Sequence, residues 1–512
     1  MKKLLALLLC LIMALSCVCV AHADDEKVTL KVWMAGHIRY SSIYASAAEH
    51  PWFQAWAERT GVNVEWIEPP LGADVNQAYN LMISSGELPD LIFHADIVNN
   101  AASHLANGII IPLNDYLDEY CPNLVAVMEK YPIVKKAYST DDGQFFCFPS
   151  LQEPSTYMGI AVNKTWMEEC GYTEAPRTID ELTSMFIAFK EKYNAIPFSM
   201  AKSAKNVLMS TYGITDPYDF FCDRDQVVHL TAYEEGYRKV LQLLNGWYEQ
   251  GILDPDFATT DASTMAAKAG AGELGAYASS YTVLPDVQAA TPEGEFNWTA
   301  IPYPLENADD EYAYFQTNSI LQGIGTAITT ACKDVEAACR FMDYLYSEEG
   351  QIFTNYGYNQ VKDADDGVGY YLDADGNPQY STEYLTGPEG MGEYARRVSP
   401  AIVGSCPGIK LAAASRGRNS QIMRDAEDIW RQGSEEAWWV MPRLGASEEE
   451  AEEYADLNSV ISTYCGEMYI KFITGEVDID TQWDEYIATL QKMNVERMIA
   501  IKQAQLDRFN AR

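Results

Sequence analysis

The residue types that could carry catalysis are all present in this chain, but not at the spacings catalysis needs. Nothing matches G-x-S-x-G, H-E-x-x-H or G-x-x-x-x-G-K-[ST]. Those patterns expose a nucleophile on a tight turn, hold zinc on one helix face, or cradle a phosphate. Six histidines occur, His22 among them, and no two stand four apart on a helical stretch. Gly323-Ile324-Gly325 follows a dinucleotide fingerprint for two glycines and lacks the third, so close packing at a strand edge is the better reading. Asp373-Ala374-Asp375-Gly376-Asn377 begins like a calcium loop, but Pro378 stands where glycine is needed and Tyr384 where glutamate is needed. A hairpin turn on Asp375-Gly376, between Tyr370-Tyr371-Leu372 and Gln379-Tyr380, is expected instead. With 74 acidic residues some close carboxylate pair is inevitable, so no glycosidase-type pair can be singled out. No catalytic residue, metal site or cofactor is expected.

The aromatic residues are more informative. Tyr212, Tyr218, Phe220 and Phe221 fall in one irregular stretch, Tyr277 and Tyr281 in a second, and Trp438-Trp439 in a third. Aromatic rings offer flat apolar faces with a polar edge. Sugar rings present C–H groups to such faces and hydroxyls to flanking polar groups. As a set these residues favour a carbohydrate pocket, while any single one is accounted for by ordinary packing.

The elements that must position them alternate. Val28 to Met34 reads as a strand, Trp52 to Thr60 as a helix ended by Gly61, and Val62 to Ile67 as a second strand. A helix over Val75–Ser85 closed by Gly86, then the short apolar run Leu88 to Phe93, completes a strand–helix–strand–helix–strand unit of the α/β kind. The order returns after Ser155: Tyr157 to Val162 is strand-like, and Thr178 with Glu181 forms a capping signature. Asp334 is placed to cap a helix whose apolar face carries Cys339, read as a free buried thiol. Trp483, Tyr486, Ile487 and Leu490 share a helix face near the end, after Asp480-Thr481.

Lys2-Lys3, the apolar run Leu4–Leu15 and Ala21-His22-Ala23 have the layout of an export signal cut after Ala23, and Cys17 is an alternative lipidation point. The apolar run is shorter than the roughly 20 residues a membrane span needs. A net charge of −38 disfavours nucleic acid and anionic membrane as partners. Eight cysteines lie beyond the signal, without C-x-x-C or zinc spacing, and their pairing is left open.

Several segments together resemble one family. They include Leu30-Lys31-Val32-Trp33-Met34, Glu58 to Pro70, Asn80 to Ile92, Ile111 to Leu117, Asp142 to Pro149, Trp247 to Phe257, Gly325 to Gly350 and Lys471 to Glu476. In this order they resemble the extracellular solute-binding proteins of carbohydrate ABC importers, in the branch of the LplA-type lipoproteins. The resemblance implies an α/β, two-lobed periplasmic-binding-protein-like fold (type II) with a ligand cleft between lobes. After a signal over 1–23, it implies a first lobe from 24–154 and about 315–365, and a second from 155–314 and about 366–512. It also implies a carbohydrate ligand, ABC permease membrane subunits as partners, a monomer and a cell-surface or extracellular location. Many relatives carry a calcium loop before a segment ending in Ile-Pro. Here Phe189 to Pro197 runs through without one, so no such site is expected.

Loops at strand ends are where ligand contacts are expected. On the first lobe these are Trp33, His37, Arg39, His94 and Asp96; on the second, Tyr157, Tyr212, Tyr277, Tyr281, Trp438 and Trp439. A secreted carbohydrate-active enzyme and a signalling sugar receptor are the alternatives.

Overall fold

The computed structural model describes residues 27–35, 40–201, 204–292, 296–310, 313–315, 319–399, 407–432, 434–436, 441–442, 444–446 and 448–512. The export signal therefore lies outside the described residues, as do His37, Arg39, Trp438 and Trp439.

Two mixed sheets organise the chain. The larger has the strand order Gly408–Lys410, Phe148–Gln152, Leu321–Ile328, Leu91–His94, Thr29–Trp33, Asn63–Ile67. The three N-terminal strands pair in parallel, as the opening unit requires, and Leu321–Ile328 inserts antiparallel between Leu91–His94 and Phe148–Gln152. The smaller sheet runs Trp298–Ile301, Met158–Asn163, Leu274–Ser280, Ile196–Met200. One apolar core surrounds each sheet. The chain passes from the first sheet to the second through Glu153–Tyr157 and returns between Ile301 and Leu321. The strand Gly408–Lys410 pairs with Phe148–Gln152, so a late stretch of sequence contributes to the first sheet.

Local signals act as the sequence suggests. The helix Pro51–Thr60 ends on Gly61 with φ +72°, and Val75–Ser85 ends on Gly86 with φ +73°, left-handed positions that glycine adopts without strain. Buried Trp56 stacks on Phe341 with ring centroids 4.0 Å apart, and its Nε1 donates to the Phe341 carbonyl at 3.0 Å. Tyr370–Leu372 and Pro378–Tyr380 form the expected hairpin, with Asp373 Oδ1 accepting from the backbone of Asp375 and Asn377. Gly325 lies on an interior strand rather than an edge, and its missing Cβ leaves room for Cys147 Sγ, 2.5 Å from where that carbon would sit. Cys339 is a buried free thiol. Asp334 precedes its helix but makes no side-chain cap, and Asp478, not Asp480, caps the helix Ile479–Lys492.

Thr178 and Glu181 form a complete capping box on the helix Ile179–Tyr193. Thr178→Ala is expected to lower stability by about 1 kcal/mol, and Thr178→Ser to leave it nearly unchanged, read by urea unfolding. That helix ends at Asn194 with φ +51°, and the strand Ile196–Met200 begins two residues later.

Candidate functional site

Ligands of α/β sheets settle outside the carboxyl ends of parallel strands. In the first lobe those ends carry Trp33 and His94. Trp33 pairs in register with Ile92, which brings its indole edge-on to the His94 ring at 5.7 Å. Tyr79, from the helix Val75–Ser85, lies flat on His94 with centroids 4.1 Å apart, and its hydroxyl meets His104 Nε2 at 2.7 Å. Burial pushes both histidines below the usual imidazole range, so both are neutral near pH 7. His94 Nδ1 accepts the Asp96 backbone N–H at 3.2 Å, which leaves the ring proton on Nε2 as a donor. Asp96 is half-buried at the start of the next helix.

In the second lobe, Tyr157 stands where the chain enters the sheet, and its carbonyl accepts the Tyr281 backbone N–H at 2.9 Å. The Tyr281 ring runs parallel to Trp430 at 6.4 Å, and Trp430 Nε1 donates to the Ile160 carbonyl at 3.1 Å. Gly159 makes this possible: a Cβ there would sit 2.3 Å from the Trp430 ring. Tyr212 is half-buried at the end of a short turn, its hydroxyl pushed up to about 12 by burial and by Glu306 and Asp180. Tyr277 is 1% exposed and packs against Trp298, within the core of the second lobe.

The first crossing is held by Glu153. Its backbone N–H donates to the Lys410 carbonyl at 2.8 Å, and its carboxylate accepts from the Ala412 N–H at 3.0 Å and from Tyr131 at 3.2 Å. Lys130 lies 3.6 Å away. One side chain thus ties the crossing to two distant elements of the first lobe.

The structure therefore brings Trp33, His94 and Asp96 together in the first lobe, and joins Tyr157 to Tyr281 in the second. Sequence reasoning missed Tyr79, His104, Trp430 and Glu153. Trp430 had a signal, since Met423, Ala426 and Trp430 share one face of the helix Gln421–Trp430. Among the described residues no group of three or more His, Cys, Asp or Glu is placed to hold a metal ion. No helix of the described residues is long and apolar enough to cross a membrane.

Residues 52–359 match the family of bacterial extracellular solute-binding proteins. The chain belongs to that family. As a whole, this solute-binding protein is 26% identical over 497 residues to the fructooligosaccharide ABC transporter substrate-binding protein FusA of Streptococcus pneumoniae, covering 90% of this chain and 87% of FusA. Lipoprotein LipO of Bacillus subtilis is 22% identical, with 93% of each chain covered. The structure of FusA in complex with kestose superposes with a TM-score of 0.70 at 22% identity, covering 94% of this chain and 99% of that one. A solute-binding protein from Bifidobacterium longum infantis gives 0.76 at 18% identity, with 95% and 99% covered. These likenesses share the fold, which is the two-lobed α/β architecture expected for this solute-binding protein.

Proposed function

We propose that the protein is the substrate-binding component of an ABC importer, which captures a sugar or oligosaccharide outside the cell and hands it unchanged to a membrane permease. The observation that carries this reading is the similarity to FusA along 90% of the chain. FusA is named for fructooligosaccharides, and the similar B. longum protein is described as HMO binding. The site supports the reading. Asp96 and the Nε2–H of His94 supply an acceptor and a donor for hydroxyls, and Tyr157 and Tyr281 supply faces for a ring. Trp33 braces the His94 ring edge-on, while Tyr277 packs on Trp298 in the second-lobe core. His37, Arg39, Trp438 and Trp439 keep the contact roles their sequence positions suggest.

Residues 24–154 with about 315–418 make one lobe, since Tyr380, Tyr394 and Ala414 pack with Tyr356 and the Arg396 carbonyl meets His50, and 155–314 with about 419–512 make the other. A ligand touching both lobes favours the closed state by its differential affinity, and the lobes swing on Glu153–Tyr157 and the return crossing. No bond need break. Small-angle scattering with kestose, nystose, lacto-N-tetraose and alginate oligomers tests this. At least one sugar is expected to reduce the radius of gyration while the reducing-end count stays constant. Rising reducing ends would indicate an enzyme, and an unchanged radius with every sugar would remove the proposal.

A further inference from the structure

A cavity of about 320 Å³, lined by neither Trp33 nor Tyr281, lies between the loop Thr215–Phe220, the segment around Met441 and the two helices Glu448–Thr474 and Val495–Ala511. That volume falls at the lower end of ligand pockets, which run about 300–1,000 Å³. Its charged walls are one cation and one anion. Lys502 Nζ sits 4.1 Å from the centre of the Tyr454 ring and 6.0 Å from that of Phe220. Its hydrogen bond goes to Gln505 Oε1 at 3.3 Å, and among the described residues it has no ion-pair partner. The nearby acid, Glu450, is taken by Arg508 through two bonds of 2.8 and 2.5 Å. An ammonium enclosed by protein without a counter-charge of its own is costly unless something supplies acceptors. Asp219, across the cavity, has no side-chain hydrogen bond among the described residues and keeps access to solvent. Phe220, Met441 and Leu444 make the remaining wall apolar.

The chemistry of these walls selects among small molecules. A phosphate or carboxylate pairs with Lys502 but is repelled by Asp219, and an amine meets the reverse. A hydroxyl satisfies both, accepting from the ammonium and donating to the carboxylate. C–H faces of the same molecule pack on Phe220 and the apolar wall. We propose that this cavity is a compartment for one ring of a neutral sugar, with Lys502 and Asp219 bridging its hydroxyls and Phe220 stacking on its face.

This rests on the reading of the protein as a carbohydrate receptor, and calorimetry separates the two claims. The full chain and the variants Lys502→Met, Asp219→Ala and Thr215→Trp are titrated with kestose, nystose, lacto-N-tetraose and alginate oligomers. Lys502→Met keeps the aliphatic stem on Tyr454, Asp219→Ala alters a solvent-accessible group, and Thr215→Trp fills the cavity. Every variant that retains the wild-type circular dichroism spectrum is expected to bind the neutral sugars at least five-fold more weakly. Smaller changes in folded variants, with wild-type binding intact, overturn the compartment while leaving the receptor reading in place. Wild-type binding to alginate oligomers alone overturns the neutral-ring assignment. No wild-type binding across the panel removes the receptor reading, and this compartment with it.

Discussion

Replacing Trp430 with alanine is expected to cost the second lobe about 3–5 kcal/mol, the range for removing a fully buried tryptophan. The ring is 1% exposed, lies flat on Gly159 and is anchored by its bond to the Ile160 carbonyl. Its loss opens a cavity under the strand Met158–Asn163 and frees the neighbouring Tyr281 ring, so sugar affinity should fall with stability. Two controls separate the contributions. Trp430→Phe keeps most of the ring and loses the hydrogen bond, for about 1 kcal/mol. Gly159→Ala keeps Trp430 but forces it off the strand, for about 1–3 kcal/mol of overpacking. Urea unfolding followed by fluorescence measures all three. Equal stability of Trp430→Ala and wild type would mean that the indole is not packed as described.

Acid should destabilise the first lobe through His50. This side chain is fully buried, ringed by Tyr40, Tyr44 and Phe53, and caps the helix Pro51–Thr60. Nδ1 accepts the Trp52 N–H at 3.1 Å, while Nε2 meets the Arg396 carbonyl at 2.8 Å and so must donate. Only the neutral ring can do both, and burial lowers its pKa from the ordinary 6.5 to about 4. Above pH 6.5 neither state binds the proton, and the full stability is present. As pH falls from 6.5 to 4 the unfolded chain takes the proton and the folded chain refuses it, so about 3 kcal/mol is lost across that window. His50→Asn still offers an acceptor for the Trp52 N–H but does not titrate. It should be less stable than wild type by about 1 kcal/mol at pH 7.5 and more stable near pH 4.5. His94 and His104 shift in the same direction, so the difference between wild type and variant, measured by chemical denaturation at each pH, isolates His50. Parallel pH profiles would remove the assignment.

Much of the fold was legible because local rules decide it. Gly61 and Gly86 stop their helices, Thr178 and Glu181 start one, and Asp375-Gly376 turns a hairpin, each within a few residues. The alternation of the first 90 residues fixed three parallel strands. What escaped depends on distant pairing. Gly408–Lys410 is three residues long and carries no period, and its partner strand lies far back in the chain. Tyr277 stands in an aromatic-rich run, but alternation on a strand buried on both faces cannot say that it belongs to the core. Trp430 shares a helix face with Met423 and Ala426, a pattern passed over in the sequence, and its place beside Tyr281 follows from a contact with Gly159, remote in sequence. Lys502 and Asp219 looked like two more charges in a chain rich in them, and only the packing of the C-terminal helices brings them to one cavity.

Under the proposed function, the two lobes take up a carbohydrate between them and leave it intact. Isothermal titration of the full chain with kestose, nystose, lacto-N-tetraose and alginate oligomers, beside a matched set of amino acids and short peptides, tests it most directly. Saturable one-to-one binding of at least one sugar, with no heat from amino acids or peptides, is the expected result. Silence from every sugar together with tight binding of a peptide or amino acid would contradict it.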